Sequence, residues 1–142
     1  MNNNLPLEIL LIEDNDQDAE LTLRAMREYN MGNKIIRLVD GQAAMDYFFS
    51  ENSQKNEIPR VILLDLQLPG INGLEVLKSL KSHESTRSIP VVILTSSTEE
   101  KDIKTCYQLG VNSYISKPVE FDSFLDTMKT LGMYWLLMNR SA

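Results

Sequence analysis

Residues 61–70 read VILLDLQLPG, and this stretch decides the fold of the chain. Four consecutive branched aliphatic residues are typical of a strand that is buried on both faces, as in a parallel sheet. The run ends directly in Asp65, and Pro69-Gly70 then predicts a turn. This order predicts an Asp65 carboxylate at the carboxyl end of a buried strand, where open α/β sheets bind their ligands. Taken alone, Asp65 is equally compatible with a capping or loop residue.

The composition predicts one globular domain over residues 1–142. With 43% apolar and 24% charged residues, the chain is long enough to bury a core and too short for a second domain. The formal net charge of -6, without a clustered Lys/Arg face, argues against a nucleic-acid partner. A single cysteine, Cys106, excludes an intrachain disulfide and a zinc–cysteine cluster.

The N-terminus has no targeting signal. Residues 1–4 read MNNN and lack the basic segment and apolar core of a signal peptide. No apolar run approaches the ~20 residues that cross a bilayer. The sequence therefore predicts a soluble, cytoplasmic protein with no membrane partner.

Other apolar runs also end in polar groups. The run at 9–12 ends in Glu13-Asp14, the run at 91–94 ends in Thr95, and the short run at 113–116 leads to Lys117-Pro118. A more polar run at 34–39 predicts a strand near the sheet edge.

Apolar residues at helical spacing separate these strands. The first helix is predicted to begin with Asp16 as its N-cap, with Asp18 in the first turn favoured by the helix dipole. Gly41 is expected in a turn before the second helix, and residues 50–57 in a loop. Gly73 opens the third helix, and the last helix is predicted from Phe121 to beyond 131.

Five alternations of strand and helix predict an α/β fold. The expected architecture is a flavodoxin-like, doubly wound (βα)5 sandwich with a five-stranded parallel sheet in the order 2-1-3-4-5. This order places Glu13-Asp14, Asp65 and Thr95 side by side at the carboxyl ends of the strands. Lys117, at the end of the fifth strand, joins them there.

The chemistry expected at this edge is phosphoryl acceptance. Crowded carboxylates need a hard cation, and Asp14 and Asp65 would be oxygen ligands for Mg²⁺. Lys117 can neutralise a phosphoryl oxygen and the Thr95 hydroxyl can donate to another. Since aspartate is a nucleophile for phosphoryl groups, Asp65 is the predicted acceptor.

The chain resembles the receiver domain of two-component response regulators, of the stand-alone, CheY-like type. The matching elements are Glu13-Asp14, LLDLQLPGINGLE at 63–75, VVILTSS at 91–97, Tyr114 and Lys117-Pro118. The resemblance implies that Asp65 takes phosphate from the phosphohistidine of a sensor histidine kinase. It implies a signalling protein that is not an enzyme, apart from slow self-dephosphorylation.

Further residue roles are implied by the same resemblance. Glu13, Asp14, Asp65 and the Gln67 backbone carbonyl would hold Mg²⁺, with Mn²⁺ as a substitute. Thr95 and Tyr114 would form the conformational switch, and the Lys117-Pro118 bond would be cis. Tyr114 is also compatible with an ordinary half-buried strand aromatic.

Several positions depart from the family pattern. Ser96 stands where alanine is common, and residues 50–57 are longer than the usual connection. Gln67 and Ser97 occupy the positions that influence how fast water reaches the aspartyl phosphate. The phosphate lifetime is therefore not predicted.

Residues 132–138 read GMYWLLM and form an apolar C-terminal extension over 132–142. This apolar content exceeds what one buried helix face requires, so Tyr134 and Leu137 are predicted to contribute to a homodimer. Trp135 and Met138 are equally compatible with residues that cap the core. With Tyr107 and the run VNSYI at 111–115, which includes Tyr114, the extension resembles stand-alone regulators paired with phytochrome-type histidine kinases. The downstream target is not predicted.

Three rival functions follow from other classes. A haloacid dehalogenase-type phosphatase needs a second acid two residues after its nucleophile, where this chain has Gln67. A flavin-binding flavodoxin-like protein needs a Gly/Ser/Thr-rich loop where this chain has acids. The third rival is a phosphate-independent interaction module of receiver fold. His83 is predicted as a surface residue and Cys106 as core packing.

Overall fold

The structure is a computed structural model that describes residues 8–28, 34–118 and 120–130. Its strands form one parallel sheet in the order β2-β1-β3-β4-β5. The strands are β1 (Ile9–Ile12), β2 (Ile35–Leu38), β3 (Val61–Leu64), β4 (Val91–Thr95) and β5 (Ser113–Ser116). The predicted fold class and strand order are confirmed.

The helices alternate with the strands along the chain. They are α1 (Asp16–Glu28), α2 (Gly41–Phe49), α3 (Gly73–Ser82), α4 (Glu100–Gln108) and α5 (Phe121–Thr130), the last given for its described part. Residues 132–142, with Tyr134 and Leu137, lie outside the described residues.

The core has two layers, one on each face of the sheet. Alternate residues of a strand point to opposite faces, so Leu10 packs in one layer and Leu11 in the other. The first layer contains residues of α2, α3 and α4, and the second contains residues of α1 and α5. All positions of β1, β3 and β4 are buried, whereas all four of β2 are half-buried at the sheet edge.

The starts of two helices differ from the sequence prediction. Asn15 caps α1, because its Oδ1 accepts a hydrogen bond from the Asp18 amide at 2.9 Å. Asp16 is instead the first helical residue and forms an ion pair with Arg37 at 2.9 Å. Gly41 follows the N-cap Asp40 as the first residue of α2 and is not part of a turn.

The segment at 50–57 is more ordered than the predicted loop. It contains a short 3₁₀ helix, Ser53–Lys55. The Tyr47 hydroxyl donates to the Glu57 carbonyl at 2.6 Å, and the Asn56 side chain donates to the Tyr47 carbonyl at 2.9 Å. These contacts fasten the segment to α2.

Candidate functional site

The carboxyl ends of β1 and β3 bring Glu13 and Asp65 together. The two strands pair in register, and the Asp65 amide donates to the Ile12 carbonyl at 3.1 Å. Both acids are buried, with residue exposures of 1% for Glu13 and 3% for Asp65. Two carboxylates placed this way require positive charge close by.

Asp14 joins Glu13 and Asp65 in a cluster of carboxylate oxygens at the carboxyl ends of these strands. One carboxylate oxygen from each of Glu13, Asp14 and Asp65 lies within 4.8 Å of the others. Burial raises the pKa of Glu13 to about 7, with the Lys117 hydrogen bond lowering it and the Asp65 charge raising it. The ionised form of Glu13 is therefore disfavoured unless more positive charge is present. A cluster of carboxylate oxygens of this kind fits a hard divalent cation.

Lys117 supplies positive charge from the end of β5. Its Nζ lies 2.6 Å from Glu13 Oε1 and 2.8 Å from Asp65 Oδ2. A third carboxylate oxygen, Asp18 Oδ2, lies 2.8 Å away. Burial by itself lowers the pKa of Lys117, but the hydrogen bonds to Asp18, Asp65 and Glu13 outweigh it and raise the pKa above its ordinary value. The Lys117-Pro118 peptide is cis, as the family resemblance implies.

Asp18 is the member of this group that sequence reasoning missed. From its position in the sequence, Asp18 is predicted only to be favoured in the first helical turn by the helix dipole. Asp14, Asp16 and Asp18 stand at every second position of one acidic segment. Nothing in that segment indicates that Asp18 pairs with Lys117 and Asp16 with Arg37. Only the packing of α1 beside the end of β5 distinguishes them.

Arg37 holds the β1–α1 connection from the side of β2. Its Nε donates to the Glu13 carbonyl at 2.9 Å, and its Nη1 pairs with Asp16. The Glu13 side chain also accepts a hydrogen bond from the Asn15 amide at 3.1 Å. Hydrogen bonds at Glu13 and the ion pair at Asp16 therefore fix the connection from β1 to α1 at both of its ends.

Thr95 and Tyr114 meet through Ser97. Thr95 is fully buried at the end of β4, and its hydroxyl lies 3.4 Å from the Ser97 amide, which donates to it. The Tyr114 hydroxyl donates to the Ser97 carbonyl at 2.8 Å, and burial raises the pKa of Tyr114. The Ser97 hydroxyl donates to Asp102 of α4 at 2.8 Å. These bonds connect the candidate site to the start of α4.

Gln67 lies directly beside Asp65. Its amide donates to Asp65 Oδ1 at 3.0 Å, and its side-chain oxygen accepts a hydrogen bond from the Ser96 hydroxyl at 2.7 Å. The predicted role of the Gln67 carbonyl as a cation ligand stays a prediction.

The remaining candidate residues lie away from this cluster. Tyr107 is half exposed on α4. Cys106 is fully buried, as predicted for core packing, and burial raises the pKa of its thiol to about 11. His83 is exposed at the end of α3, where its ring stacks on Phe49 with centroids 4.2 Å apart. Among the described residues, no helix is both long and apolar enough to cross a membrane.

Comparisons with known proteins agree with this geometry. A sequence profile of the family described as "Response regulator receiver domain" matches residues 9–129. The probable methanogenesis regulatory protein FilR2 of Methanothrix harundinacea is 43% identical over 136 residues, covering 96% of this chain and 88% of FilR2. Response regulator Rcp1 of Synechocystis is 35% identical over 134 residues, covering 94% and 91%.

Solved structures give the same result. The bacteriophytochrome response regulator RtBRR superposes with a TM-score of 0.83 at 45% identity, covering 97% of this chain and 85% of that one. The Mn²⁺-bound form of Rcp1 gives 0.77 at 34%, covering 92% and 95%. The phosphorylated cyanobacterial phytochrome response regulator RcpA gives 0.78 at 35%, covering 93% and 95%. The chain belongs to the response regulator receiver domain family, whose members act in phosphotransfer signalling.

Proposed function

We propose that the chain is a response regulator that accepts a phosphoryl group onto Asp65 from the phosphohistidine of a histidine kinase. One observation carries the assignment of the acceptor. The Asp65 carboxylate lies at the end of a buried strand, with one oxygen on the Lys117 ammonium and the other on the Gln67 amide. These two donors hold the carboxylate in a fixed orientation.

The transfer is a displacement at phosphorus. A carboxylate oxygen of Asp65 forms the new P–O bond while the P–N bond of the phosphohistidine breaks. The imidazole leaves with the electron pair of that bond. Lys117 neutralises one phosphoryl oxygen, and the Thr95 hydroxyl donates to another.

The proposed cofactor is Mg²⁺, with Mn²⁺ as a substitute. Glu13, Asp14, Asp65 and the Gln67 carbonyl would hold it. The cluster of carboxylate oxygens supports a divalent cation here, as does the Mn²⁺-bound form of Rcp1. A bound Mg²⁺ would supply charge that offsets the negative charge on the transferred phosphoryl group.

The proposed switch runs from Thr95 to the surface formed by α4, β5 and α5. Movement of the Thr95 hydroxyl toward a phosphoryl oxygen would break its contact with the Ser97 amide. Ser97 also holds Tyr114 and Asp102, so its displacement would reach both β5 and α4. The tuning of the phosphate lifetime by Gln67 and Ser97 belongs to the same proposal.

Membership of the family supports the proposed partners. A phytochrome-type histidine kinase is the proposed donor, because the similar structures include regulators named for phytochromes. The output is proposed to be a contact with another protein and not an enzymatic reaction, and a homodimer and a cytoplasmic location stay predictions.

The test is the intact mass of the protein after incubation with acetyl phosphate. Wild type with Mg²⁺ is expected to gain about 80 Da, the mass of one phosphoryl group on a nucleophilic carboxylate. Asp65→Asn with Mg²⁺, and wild type with EDTA, are expected to gain nothing. Asp46→Asn is the matched control, because Asp46 is exposed on α2, where Gln42 donates to it.

No mass gain in wild type with Mg²⁺ would reject Asp65 as an acceptor. The fold would then support the phosphate-independent interaction module instead.

A further inference from the structure

The Lys117 ammonium lies in contact with three carboxylates. Glu13, Asp65 and Asp18 each place an oxygen within hydrogen-bonding distance of Nζ, at 2.6, 2.8 and 2.8 Å. A lysine ammonium has three N–H donors and no acceptor, and two of them donate to Asp18 and Asp65. A phosphoryl oxygen that binds Lys117 therefore competes with these carboxylates for the ammonium.

Two of the three partners belong to the candidate cation cluster, and Asp18 does not. Glu13 and Asp65 share that cluster with Asp14. Their side chains are 2% and 4% exposed, whereas the Asp18 side chain is 38% exposed on the first turn of α1. A divalent cation would compete with Lys117 for the oxygens of Glu13 and Asp65, but not for those of Asp18.

We infer that Asp18 is a positioning residue, which keeps the Lys117 ammonium beside Asp65 when the carboxylates of Glu13 and Asp65 would be engaged in holding a divalent cation. The inference rests on the proposed function, in which Lys117 neutralises a phosphoryl oxygen at Asp65. One contact to Asp18 leaves two N–H donors free for that oxygen. A lysine stem is long and flexible, so a fixed partner for its end preserves the orientation that transfer needs.

A purely repulsive role for Asp18 predicts the opposite effect. The negative charge of Asp18 would then disfavour an anionic phosphodonor, and its removal would accelerate phosphorylation. The sign of the rate change therefore separates anchoring from repulsion.

The first measurement is the rate of phosphorylation by acetyl phosphate at saturating Mg²⁺. In this reaction the bond from Asp65 to phosphorus forms, and acetate leaves with the electron pair of the broken P–O bond. Asp18→Ala is expected to lower the maximal rate by about 10-fold, since it removes the anchor. Asp18→Asn keeps an oxygen that accepts from Lys117 and is expected to lose only about threefold.

The matched control is Glu20→Ala. Glu20 lies on the same helix, is exposed, and pairs with Arg24 and Arg27 instead of Lys117. Its removal changes the net charge by the same amount and is expected to leave the rate unchanged.

The second measurement does not need phosphorylation. The ¹⁵N NMR signal of the Lys117 ammonium reports whether its hydrogens are held by partners. In wild type the signal is expected both without and with Mg²⁺. In Asp18→Ala it is expected without Mg²⁺, when Glu13 and Asp65 hold the ammonium, and is expected to disappear when Mg²⁺ is added.

The outcomes separate this inference from the proposed function. A Lys117 signal that survives Mg²⁺ in Asp18→Ala would overturn the anchoring, whatever the rates. Unchanged or faster phosphorylation of both Asp18 variants would also overturn it. If wild type accepts no phosphate but the signal of Asp18→Ala is lost with Mg²⁺, the proposed function fails and the anchoring stands.

Discussion

Burial of Glu13 opposes ionisation of a carboxylate that is proposed to hold the cation. Its side chain is 2% exposed, and burial raises its pKa from 4.5 to about 7 even though Lys117 opposes the shift. Between these two pH values the folded protein keeps a proton that the unfolded chain releases. The site therefore holds a carboxylate whose ionisation is unfavourable unless more positive charge is added.

This conflict predicts a pH dependence of stability. As pH rises from about 4.5 to about 7, the Glu13 carboxyl ionises first in the unfolded chain, so its contribution to stability falls. The fall is expected to reach up to about 3 kcal/mol, because one pKa unit corresponds to about 1.4 kcal/mol. Urea unfolding in EDTA over this pH range measures it as the difference between wild type and Glu13→Gln.

The exposed Glu20 provides the control for this prediction. Glu20→Gln is expected to follow the pH dependence of wild type. A difference between wild type and Glu13→Gln that stays constant across the range would contradict the assignment to Glu13.

The connection from β3 to α3 is the element that holds the Asp65 backbone. Asn72 caps α3 through a reciprocal pair of hydrogen bonds with Glu75. The Gly73 amide donates to the Leu66 carbonyl at 3.0 Å. A Cβ at Gly73 would lie 2.3 Å from the Asp65 carbonyl oxygen, so the first turn of α3 approaches β3 as closely as glycine allows.

This close approach predicts that Gly73→Ala destabilises the protein and slows phosphorylation. The new methyl group meets backbone atoms and not the end of a flexible side chain, so the strand end or the helix must move. The expected loss in the free energy of unfolding is about 2 kcal/mol, as for other overpacked positions. Urea unfolding and the rate with acetyl phosphate measure the two effects.

Lys78→Ala is the matched control, because Lys78 is exposed on the same helix. It is expected to change neither quantity appreciably. A Gly73→Ala protein with wild-type stability and rate would show that the connection adjusts without cost.

The sheet order gathers residues from distant parts of the whole chain. Lys117 and Asp65 are 52 positions apart, and Lys117 and Asp18 are 99 apart, yet each pair is in contact. Parallel strands require crossover connections, so every carboxyl end lies at the same edge of the sheet. The opposite edge could not collect these residues, because the same strands begin there.

The oligomeric state is the prediction at the scale of the whole molecule. Tyr107 exposes half of its surface on α4, and the apolar extension with Tyr134 and Leu137 lies outside the described residues. Sedimentation at tens of micromolar is expected to show a dimer, because the sequence at 132–138 is more apolar than one buried helix face requires. Replacing Tyr134 and Leu137 with serine is expected to yield monomers.

A wild-type monomer at that concentration, with or without phosphate, would reject the dimer. Replacing the exposed Lys101 of α4 with serine serves as the control and is expected to leave the dimer intact.

Much of the fold and the centre of the site follow from local patterns. Buried strands are recognisable as unbroken aliphatic runs, and each run ends in a residue whose type already indicates its chemistry, as with Glu13, Asp65 and Thr95. Lys117 instead follows the short mixed run at 113–116. The first residues of the helices are harder to predict from the sequence. Asn15 and Asp16 are both good caps by residue type, and the ion pair of Asp16 with Arg37 on β2 is a long-range contact.

The amino-acid order alone predicts the parallel sheet and its strand order, and it points to Asp65 as the proposed acceptor, because these predictions depend on periodicity and on which residue ends each strand. Tertiary structure decides which charges pair. Asp16 and Asp18 are chemically identical and two residues apart, yet one contacts Arg37 and the other Lys117. Residues two apart on a helix point in different directions, and only the packing of α1 between β2 and the end of β5 determines what each carboxylate meets.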